Sequence, residues 1–140
     1  MRVLFDTNVV LDLLLERQPH ADTAEQLLSL VDTGRLEGVI CSTTATTIHY
    51  LAAEAVGAAA AMGYLRELLA IFAVAAVDRE VLRSALDLGI PDFEDAVLHE
   101  AARGAGATAI VTRNGKDLAR SVIPVFSPIE LLAAVYADPK

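Results

Sequence analysis

The stretch "RVLFDTNVVLDLLL", residues 2 to 15, places Asp6 and Asn8 inside a largely apolar run. Residues 3 to 5 are typical of a short buried strand, and residues 8 to 16 are typical of a helix. Asp6, between them, has two interpretations: a turn residue that caps the helix, or a metal-binding carboxylate at the end of the strand. Because a buried, unpaired acid among apolar neighbours is costly, we favour a functional role for Asp6.

The composition predicts one globular domain that spans residues 1–140. The chain is 54% hydrophobic and 21% charged, which suits a folded domain with a substantial core. Its apolar run at residues 68 to 77 is shorter than the roughly 20 residues that span a bilayer, and no signal-peptide core precedes Asp6. We therefore expect a cytoplasmic protein. Cys41 is the single cysteine, so we expect a buried thiol and no internal disulfide.

The formal net charge of −8 bears on partners rather than on fold. It argues against tight, non-specific binding of nucleic acid by the bare chain, because phosphate contacts normally require a basic patch. Nucleic acid remains a compatible ligand if the acidic residues surround divalent cations, since the ions invert the local potential.

Short apolar strands alternate with helical stretches along the whole chain. After the first strand, this pattern predicts strands at 38–42, 72–77, 108–112 and 123–128, and helices at 20–34, 43–56, 58–69, 79–89 and 93–103, with a last helix capped by Ser127. The alternation indicates an α/β protein whose central parallel sheet is covered on both faces. Sheets of this kind bind ligands at the carboxyl ends of their strands.

Polar side chains form three clusters at such positions. They are Asp6 and Asn8 after the first strand, Asp92, Glu94 and Asp95 at the start of a later helix, and Thr112, Arg113, Asn114 and Asp117 after the strand "TAIV". If these clusters converge on one edge of the sheet, their carboxylates suit Mg²⁺ or Mn²⁺ rather than zinc, which prefers Cys and His.

Other interpretations remain open for several of these residues. Asp92 fits a helix N-cap, since acids in a first helical turn are favoured by the helix dipole. The stretch "TRNGKD", residues 112 to 117, fits a polar turn built on Asn-Gly. His99 could share a helix face with Asp95 four residues earlier, but a structural role is expected for all three histidines.

With these residues in view, the chain resembles the PIN-domain ribonucleases, and among them the VapC-type toxins of toxin–antitoxin pairs. The resemblance rests on "FDTNVVLDLLLERQPH" at residues 5 to 20, on "PDFEDAVLHEAARGAGATAIVTRN" at residues 91 to 114 followed by "KDL", and on "CSTTATTIHYLAAE" between them. It implies a Rossmann-like, three-layer α/β/α sandwich whose acids hold Mg²⁺ or Mn²⁺ and cut RNA. It also implies a protein antitoxin as partner, and a homodimer.

The resemblance assigns roles residue by residue. Asp6 matches the first acid of the family, and Asp95 matches the acid before Ala in the later helix. The metal ligands are thus expected to be Asp6, Asp95 and Asp92, with Asp117 as a further catalytic acid. Asn8, Thr112 and Asn114 are expected to orient the acids or the substrate, Asn8 by holding Asp6.

The chain departs from the family in its middle. Many members carry a Glu early in the third helix, where this chain has "TTIHY" at residues 46 to 50, and Glu54 lies about two turns further on. A catalytically weak or inactive PIN-fold module that binds RNA or protein is therefore the alternative. Two phosphate-handling classes fit poorly: haloacid-dehalogenase-type enzymes need an Asp where this chain has Asn8, and the acid pair and Lys of receiver domains cannot be placed.

Overall fold

Five parallel strands form one sheet at the centre of the computed structural model, which describes residues 1–137. The strands are β1 (Arg2–Phe5), β2 (Glu37–Cys41), β3 (Ala73–Ala75), β4 (Ala109–Val111) and β5 (Val125–Phe126). Their order across the sheet is β3-β2-β1-β4-β5, so β1 is central and pairs with both β2 and β4. From β1, the strands β2 and β3 are added on one side of the sheet and β4 and β5 on the other, so the strand order reverses at β1. The carboxyl end of β1 faces the crevice where sheets of this kind bind ligands. Residues 138–140 of the domain predicted over 1–140 lie outside the described residues.

Seven α-helices accompany the sheet in the described residues. They are α1 (Thr7–Leu14), α2 (Ala21–Asp32), α3 (Ser42–Val56), α4 (Ala58–Ile71), α5 (Arg79–Asp87), α6 (Phe93–Gly104) and α7 (Pro128–Ala137). A short 3₁₀ helix, Gly115–Leu118, lies where the sequence was compatible with a polar turn. It carries Asp117 and is separated from β4 by three residues, 112 to 114.

The alternation of side chains in β1 divides the core into two layers. Val3 and Phe5 point to one face of the sheet, where they pack with apolar residues of α1, α2, α3, α4 and α7. Leu4 points to the other face and packs with residues of α5 and α6. The predicted three-layer α/β/α sandwich with a central parallel sheet is confirmed.

Close packing requires glycine at position 38 of β2. A Cβ on Gly38 would lie 2.7 Å from the ring of Phe72 and 2.8 Å from the side chain of Val31. The Phe72 ring also meets the ring of Phe5 edge to face, with centroids 5.1 Å apart. Gly38 therefore lets α2 and the end of α4 approach the sheet above β1 and β2.

The two edge strands are shorter than predicted. The strand expected at 72–77 comprises only Ala73–Ala75, and the one expected at 123–128 comprises only Val125–Phe126. Each edge strand hydrogen-bonds to a single neighbour. β3 pairs with β2 at three positions, and β5 pairs with β4 at two. The apolar composition predicted where each edge strand lies, whereas the number of residues that pair with the neighbouring strand sets its length.

Two further expectations concern burial. Cys41 is a buried free thiol, as predicted. Across residues 1–137, no helix combines the length and the apolar character that crossing a bilayer would need.

Candidate active site

Asp6 lies at the carboxyl end of β1 and is also the N-cap of α1. Its Oδ1 accepts a 2.7 Å hydrogen bond from the backbone N–H of Thr7, and its own N–H donates to the carbonyl of Val111 in β4 at 3.0 Å. Its Oδ2 accepts a 2.8 Å hydrogen bond from the hydroxyl of Thr112. The two interpretations of Asp6 are therefore compatible, because one carboxylate both caps the helix and faces the edge of the sheet.

Thr112 fixes the orientation of the Asp6 carboxylate. It follows β4 and is 1% exposed, and its hydroxyl oxygen accepts the N–H of Asn114 at 3.1 Å. The single hydroxyl proton is thus available for Asp6, and it is donated there. Thr112 contacts the acid that the sequence expected it to accompany.

Asn8 does not play the part expected of it. In the described residues it makes no hydrogen bond to Asp6; instead its side-chain oxygen accepts the backbone N–H of Arg113 at 3.4 Å. Residues 7 and 8 already lie in the first turn of α1, so the Asn8 side chain projects past the cap toward the loop after β4. Asn8 therefore links α1 to that loop, and Thr112 performs the orienting role.

The second group of acids opens α6. Asp92 is the N-cap, and its Oδ1 accepts the N–H of Asp95 at 3.0 Å, as the capping interpretation predicted. Asp92, Glu94 and Asp95 also line the same cleft as Asp6. Capping and participation in the acidic cleft coexist at Asp92, as they do at Asp6.

The electrostatic centre of the cleft is Asp95. Partial burial, followed by the negative charges of Asp92, Asp6, Asp117 and Glu94, raises the pKa of Asp95 from 3.8 to about 6. Acids from all three polar clusters predicted from the sequence therefore contribute to the raised pKa of Asp95. A bound cation would relieve this repulsion.

Asp117 and Asn114 occupy different places relative to the cleft. Asn114 lines it, whereas Asp117, on the 3₁₀ helix, does not belong to its lining among the described residues. The charge of Asp117 nevertheless contributes to the raised pKa of Asp95. Its N–H donates to the carbonyl of Asn114 at 3.0 Å, which holds the two residues in one turn.

The cleft has a volume of about 350 Å³, and α3 supplies one of its walls without an acid. The α3 residues there are Thr47 and Leu51, and within residues 1–137 Glu54 is not part of the lining. The full lining is Asp6, Thr7, Asn8, Leu11, Arg17, Thr47, Leu51, Asp92, Glu94, Asp95, Arg113 and Asn114. Within the described residues, this part of α3 therefore contributes no carboxylate to the cleft.

The donor set suits Mg²⁺ or Mn²⁺ better than a softer metal. Among residues 1–137, no three His, Cys, Asp or Glu side chains form a ready-made ligand group. Mg²⁺ does not require one, since it typically binds through one or two carboxylates and keeps waters and substrate phosphates as its other ligands. Asp6 and Asp95 are two carboxylates of the cleft, whose lining within residues 1–137 contains no Cys or His.

One functional feature was missed in the sequence. Asp12 of α1 is fully buried, and its carboxylate binds the guanidinium groups of Arg17 and Arg113, both of which line the cleft. The available signal was the acid inside "VVLDLLL", at a position of α1 that the apolar pattern assigns to the core.

His99 is structural, and it does not join the cleft. Its ring is fully buried, with Nδ1 donating to Oε2 of Glu100 at 2.8 Å and Nε2 accepting the N–H of Val122 at 3.2 Å. The acceptor role of Nε2 assigns the proton to Nδ1. Although His99 lies one turn after Asp95, it faces the loop before β5 rather than the acidic cleft.

Together, the fold and the cleft define a parallel α/β domain with a carboxylate cluster at the carboxyl edge of its sheet, the edge where sheets of this kind bind ligands. The PIN domain family model matches residues 2–116, and the chain belongs to that family. No curated protein is close enough in sequence to match it.

Solved structures share this fold. The VapBC2 complex from Rickettsia felis bound to a promoter DNA fragment has a TM-score of 0.70 at 16% identity, covering 91% of this chain and 98% of the other. A toxin–antitoxin complex from Klebsiella pneumoniae has a TM-score of 0.70 at 22% identity, covering 90% and 97%. VapC20 of Mycobacterium tuberculosis, a Sarcin-Ricin loop cleaving toxin, has a TM-score of 0.67 at 16% identity, covering 84% and 93%. The predicted likeness to VapC-type PIN toxins is confirmed.

Proposed function

We propose that the chain is a Mg²⁺- or Mn²⁺-dependent endoribonuclease that hydrolyses phosphodiester bonds of RNA. The observation that carries the proposal is the convergence of four negative side chains on Asp95, whose pKa is raised to about 6 beside Asp6 at the carboxyl edge of the sheet. Such a concentration of partly buried negative charge is typical of functional sites rather than of solvated surfaces.

The residues of the cleft have distinct parts in this proposal. Asp6 and Asp95 hold the cation, with Asp92 as a further ligand and Asp117 as a supporting acid. Thr112 keeps Oδ2 of Asp6 in place through its 2.8 Å hydrogen bond. A divalent cation bound there supplies positive charge for the phosphate oxygens and a more acidic water. Asn114 and Thr47, which both line the cleft, offer hydrogen bonds to the RNA.

We further propose that the chain is the toxin of a type II toxin–antitoxin pair, acts in the cytoplasm and forms a homodimer. Support comes from the fold shared with the VapBC complexes and from the PIN domain family match. The RNA substrate is suggested by VapC20, which is described as a toxin that cleaves the Sarcin-Ricin loop.

A separate groove beside α1 fits the protein antitoxin. It has a volume of about 500 Å³, lies between α1, α2 and α4, and its apolar floor includes Leu13, Leu28 and Leu68. Its rim carries the acids Glu25, Asp32 and Glu67. An apolar floor with an acidic rim is complementary to an amphipathic helix with basic flanks, so we propose this surface for the antitoxin.

The nuclease proposal is tested with labelled RNA and the purified chain, with and without Mg²⁺ or Mn²⁺. We expect cleavage with either ion, loss of cleavage with EDTA, and loss of cleavage in Asp6→Asn and Asp95→Asn. Asp87→Asn is the matched control, because Asp87 ends α5 and is exposed away from the cleft. Cleavage that persists in EDTA or in both cleft variants contradicts the proposal.

The absence of an acid from the part of α3 that lines the cleft favours a second candidate, a PIN-fold module that binds RNA or protein without cutting it. Thr47 and Leu51 occupy the α3 wall of the cleft, which leaves fewer carboxylates for a cation. The same experiment separates the two candidates. RNA that is retained by the wild-type chain in Mg²⁺ and recovered intact supports the binding module.

A further inference from the structure

One buried carboxylate organises the positive charge of the cleft. Asp12 is 0% exposed, and its Oδ2 accepts Nε of Arg113 at 2.6 Å while its Oδ1 accepts Nη2 of Arg113 at 3.2 Å and Nε of Arg17 at 2.9 Å. The Arg113 contact is bidentate, the geometry that fixes a guanidinium most firmly. Arg17 is held a second time, since its Nη2 donates to the carbonyl of Asn8 at 3.2 Å.

This arrangement leaves an excess of positive charge at the cleft. One carboxylate balances only one of the two guanidinium groups, so the group of three side chains carries a net charge of +1. The arginine side chains are 41% and 29% exposed, and both line the cleft that contains Asp6 and Asp95. Within residues 1–137, Nη1 of each arginine makes no hydrogen bond, so both present donors to a ligand.

The need to balance the charge of the Asp12 carboxylate does not explain why two arginines contact it. A buried carboxylate needs one well-placed cation, and Arg113 already meets that need through two hydrogen bonds. The second arginine places further positive charge in the acidic cleft, in a chain whose net charge is −8. Positive charge held rigidly beside a carboxylate site suits a phosphate group, which guanidinium binds well.

Arg113 also lines a second cleft of about 390 Å³, whose lining in the described residues does not include Asp95. The surface of this second cleft is mostly apolar, with a smaller hydrogen-bonding part, and it is supplied by the residues before and in α2 and around the start of α7. They are Pro19, His20, Thr23, Ser127, Pro128 and Ile129. Its volume is within the range of small-molecule sites, on the order of 300–1,000 Å³, and its lining suits a base and a ribose.

We propose that Arg17 and Arg113 bind a backbone phosphate next to the bond that is cut, and that the second cleft receives the adjoining nucleoside of single-stranded RNA. The inference rests on the ribonuclease function proposed above. Asp12 is a positioning residue, because it acts on the RNA only through the two arginines. The arrangement explains how a strongly acidic chain gains an RNA-binding surface without a basic patch.

The phosphate contact is tested by fluorescence anisotropy with a short, labelled, single-stranded RNA. The protein carries Asp95→Asn to prevent cleavage, and the titrations are repeated in EDTA over a series of KCl concentrations. We expect Arg113→Gln to weaken binding about tenfold, the loss typical of one charge-assisted hydrogen-bond pair. We also expect the slope of log Kd against log [KCl] to fall by about 0.7, as for one lost phosphate contact on a single strand.

Arg83→Gln is the matched control, because it removes the same charge from exposed α5, where Arg83 pairs only weakly with Glu80 at 3.8 Å. We expect it to leave the affinity within about twofold and the slope unchanged. Equal effects of Arg113→Gln and Arg83→Gln on affinity and slope overturn the phosphate contact, since only the net charge would then matter. If the wild-type chain fails to cut RNA while Arg113 still controls binding, the nuclease proposal fails, and the phosphate contact stands as part of an RNA-binding surface alone.

The second cleft is tested without changing charge. Thr23→Trp fills it, and we expect weaker binding with an unchanged salt slope. Ile129→Ser, at a side chain that is 72% exposed, removes part of its apolar wall at little risk to folding, and we expect a smaller loss of affinity. If Ile129→Ser and a folded Thr23→Trp variant both bind RNA as tightly as their parent, the second cleft does not receive a nucleoside.

Discussion

The hydroxyl of Thr112 donates a 2.8 Å hydrogen bond to Oδ2 of Asp6, across 106 residues of sequence. The two residues follow β1 and β4, which are neighbours in the sheet. Their strands end at the same edge, so the contact fixes a carboxylate at the point where the acidic cleft opens. Thr112 is itself fixed, because its oxygen accepts the N–H of Asn114.

Removing the hydroxyl tests this contact. Thr112→Val keeps the shape of the side chain but leaves Oδ2 of Asp6 without its donor. We expect a loss of about 1 kcal/mol in the free energy of unfolding, measured by urea denaturation, and a larger fractional loss of RNA cleavage. Thr112→Ser retains the hydroxyl and should retain most of the activity. Equal cleavage by both variants would show that the orientation of Asp6 does not matter.

The raised pKa of Asp95 predicts that the stability of the folded chain depends on pH. Its pKa is raised from 3.8 to about 6, so the folded state binds this proton more tightly than the unfolded state does. The resulting stabilisation is complete below pH 3.8 and is lost as the pH rises through about 6. Asp95→Asn does not titrate, so its melting temperature should exceed that of the wild type by more at pH 7.5 than at pH 4.5.

Mg²⁺ provides the control for that prediction. A cation at the cleft lowers the pKa of Asp95, so saturating Mg²⁺ should narrow the difference between the two proteins at pH 7.5. A difference in melting temperature that is constant from pH 4.5 to 7.5 would contradict the raised pKa.

A small change to the side chain of Asp12 should cause a large fall in the free energy of unfolding. Asp12→Asn keeps the size of the side chain but leaves two guanidinium groups without their carboxylate. We expect the free energy of unfolding to fall by about 3 kcal/mol, because removing one partner of a buried ion pair is strongly destabilising. Asp87→Asn on exposed α5 should change it by less than about 0.5 kcal/mol. Similar urea midpoints for the two variants would refute the role of Asp12.

An acid on α3 should strengthen cation binding. Thr47 lines the cleft on the wall that lacks a carboxylate, so Thr47→Glu adds an oxygen ligand facing the other acids. We expect a lower Mg²⁺ concentration at half-maximal cleavage, with Thr47→Gln as the uncharged control. Glu54→Gln should have no effect, because Glu54 does not line the cleft in residues 1–137. An unchanged Mg²⁺ requirement in Thr47→Glu would place the cation away from α3.

Two glycines should respond in opposite directions to the same substitution. Gly38→Ala forces a Cβ to 2.7 Å from the Phe72 ring, and we expect a loss of about 1–3 kcal/mol in the free energy of unfolding. Gly63→Ala, in α4, meets no atom within 4 Å, and should stabilise the chain by about 0.5–1 kcal/mol. Urea denaturation measures both. A neutral Gly38→Ala would show that Phe72 can move away from the sheet.

Local features of the sequence were enough to predict the class of fold and much of the candidate site. Apolar runs of three to five residues that alternate with helical periods predicted the parallel sheet and its two covering layers. The positions of Asp6 and Asp92 just before helices predicted their capping roles, since a cap needs only the next few residues. The convergence of three polar clusters also followed, because the carboxyl ends of parallel strands share one edge.

Contacts between residues that are distant in sequence were decided only by the tertiary structure. Asn8 and Thr112 both looked suitable for orienting Asp6, and the pairing of β1 with β4 assigned that role to Thr112. Asp12 looked like an interruption of an apolar helix until Arg113, 101 residues later, was placed beside it. Periodicity and capping act over a few residues, so they were enough to predict which segments form helices and strands and which acids follow strands. Which side chains neutralise or orient those acids depends on the packing of separate elements, which only the folded sheet brings together.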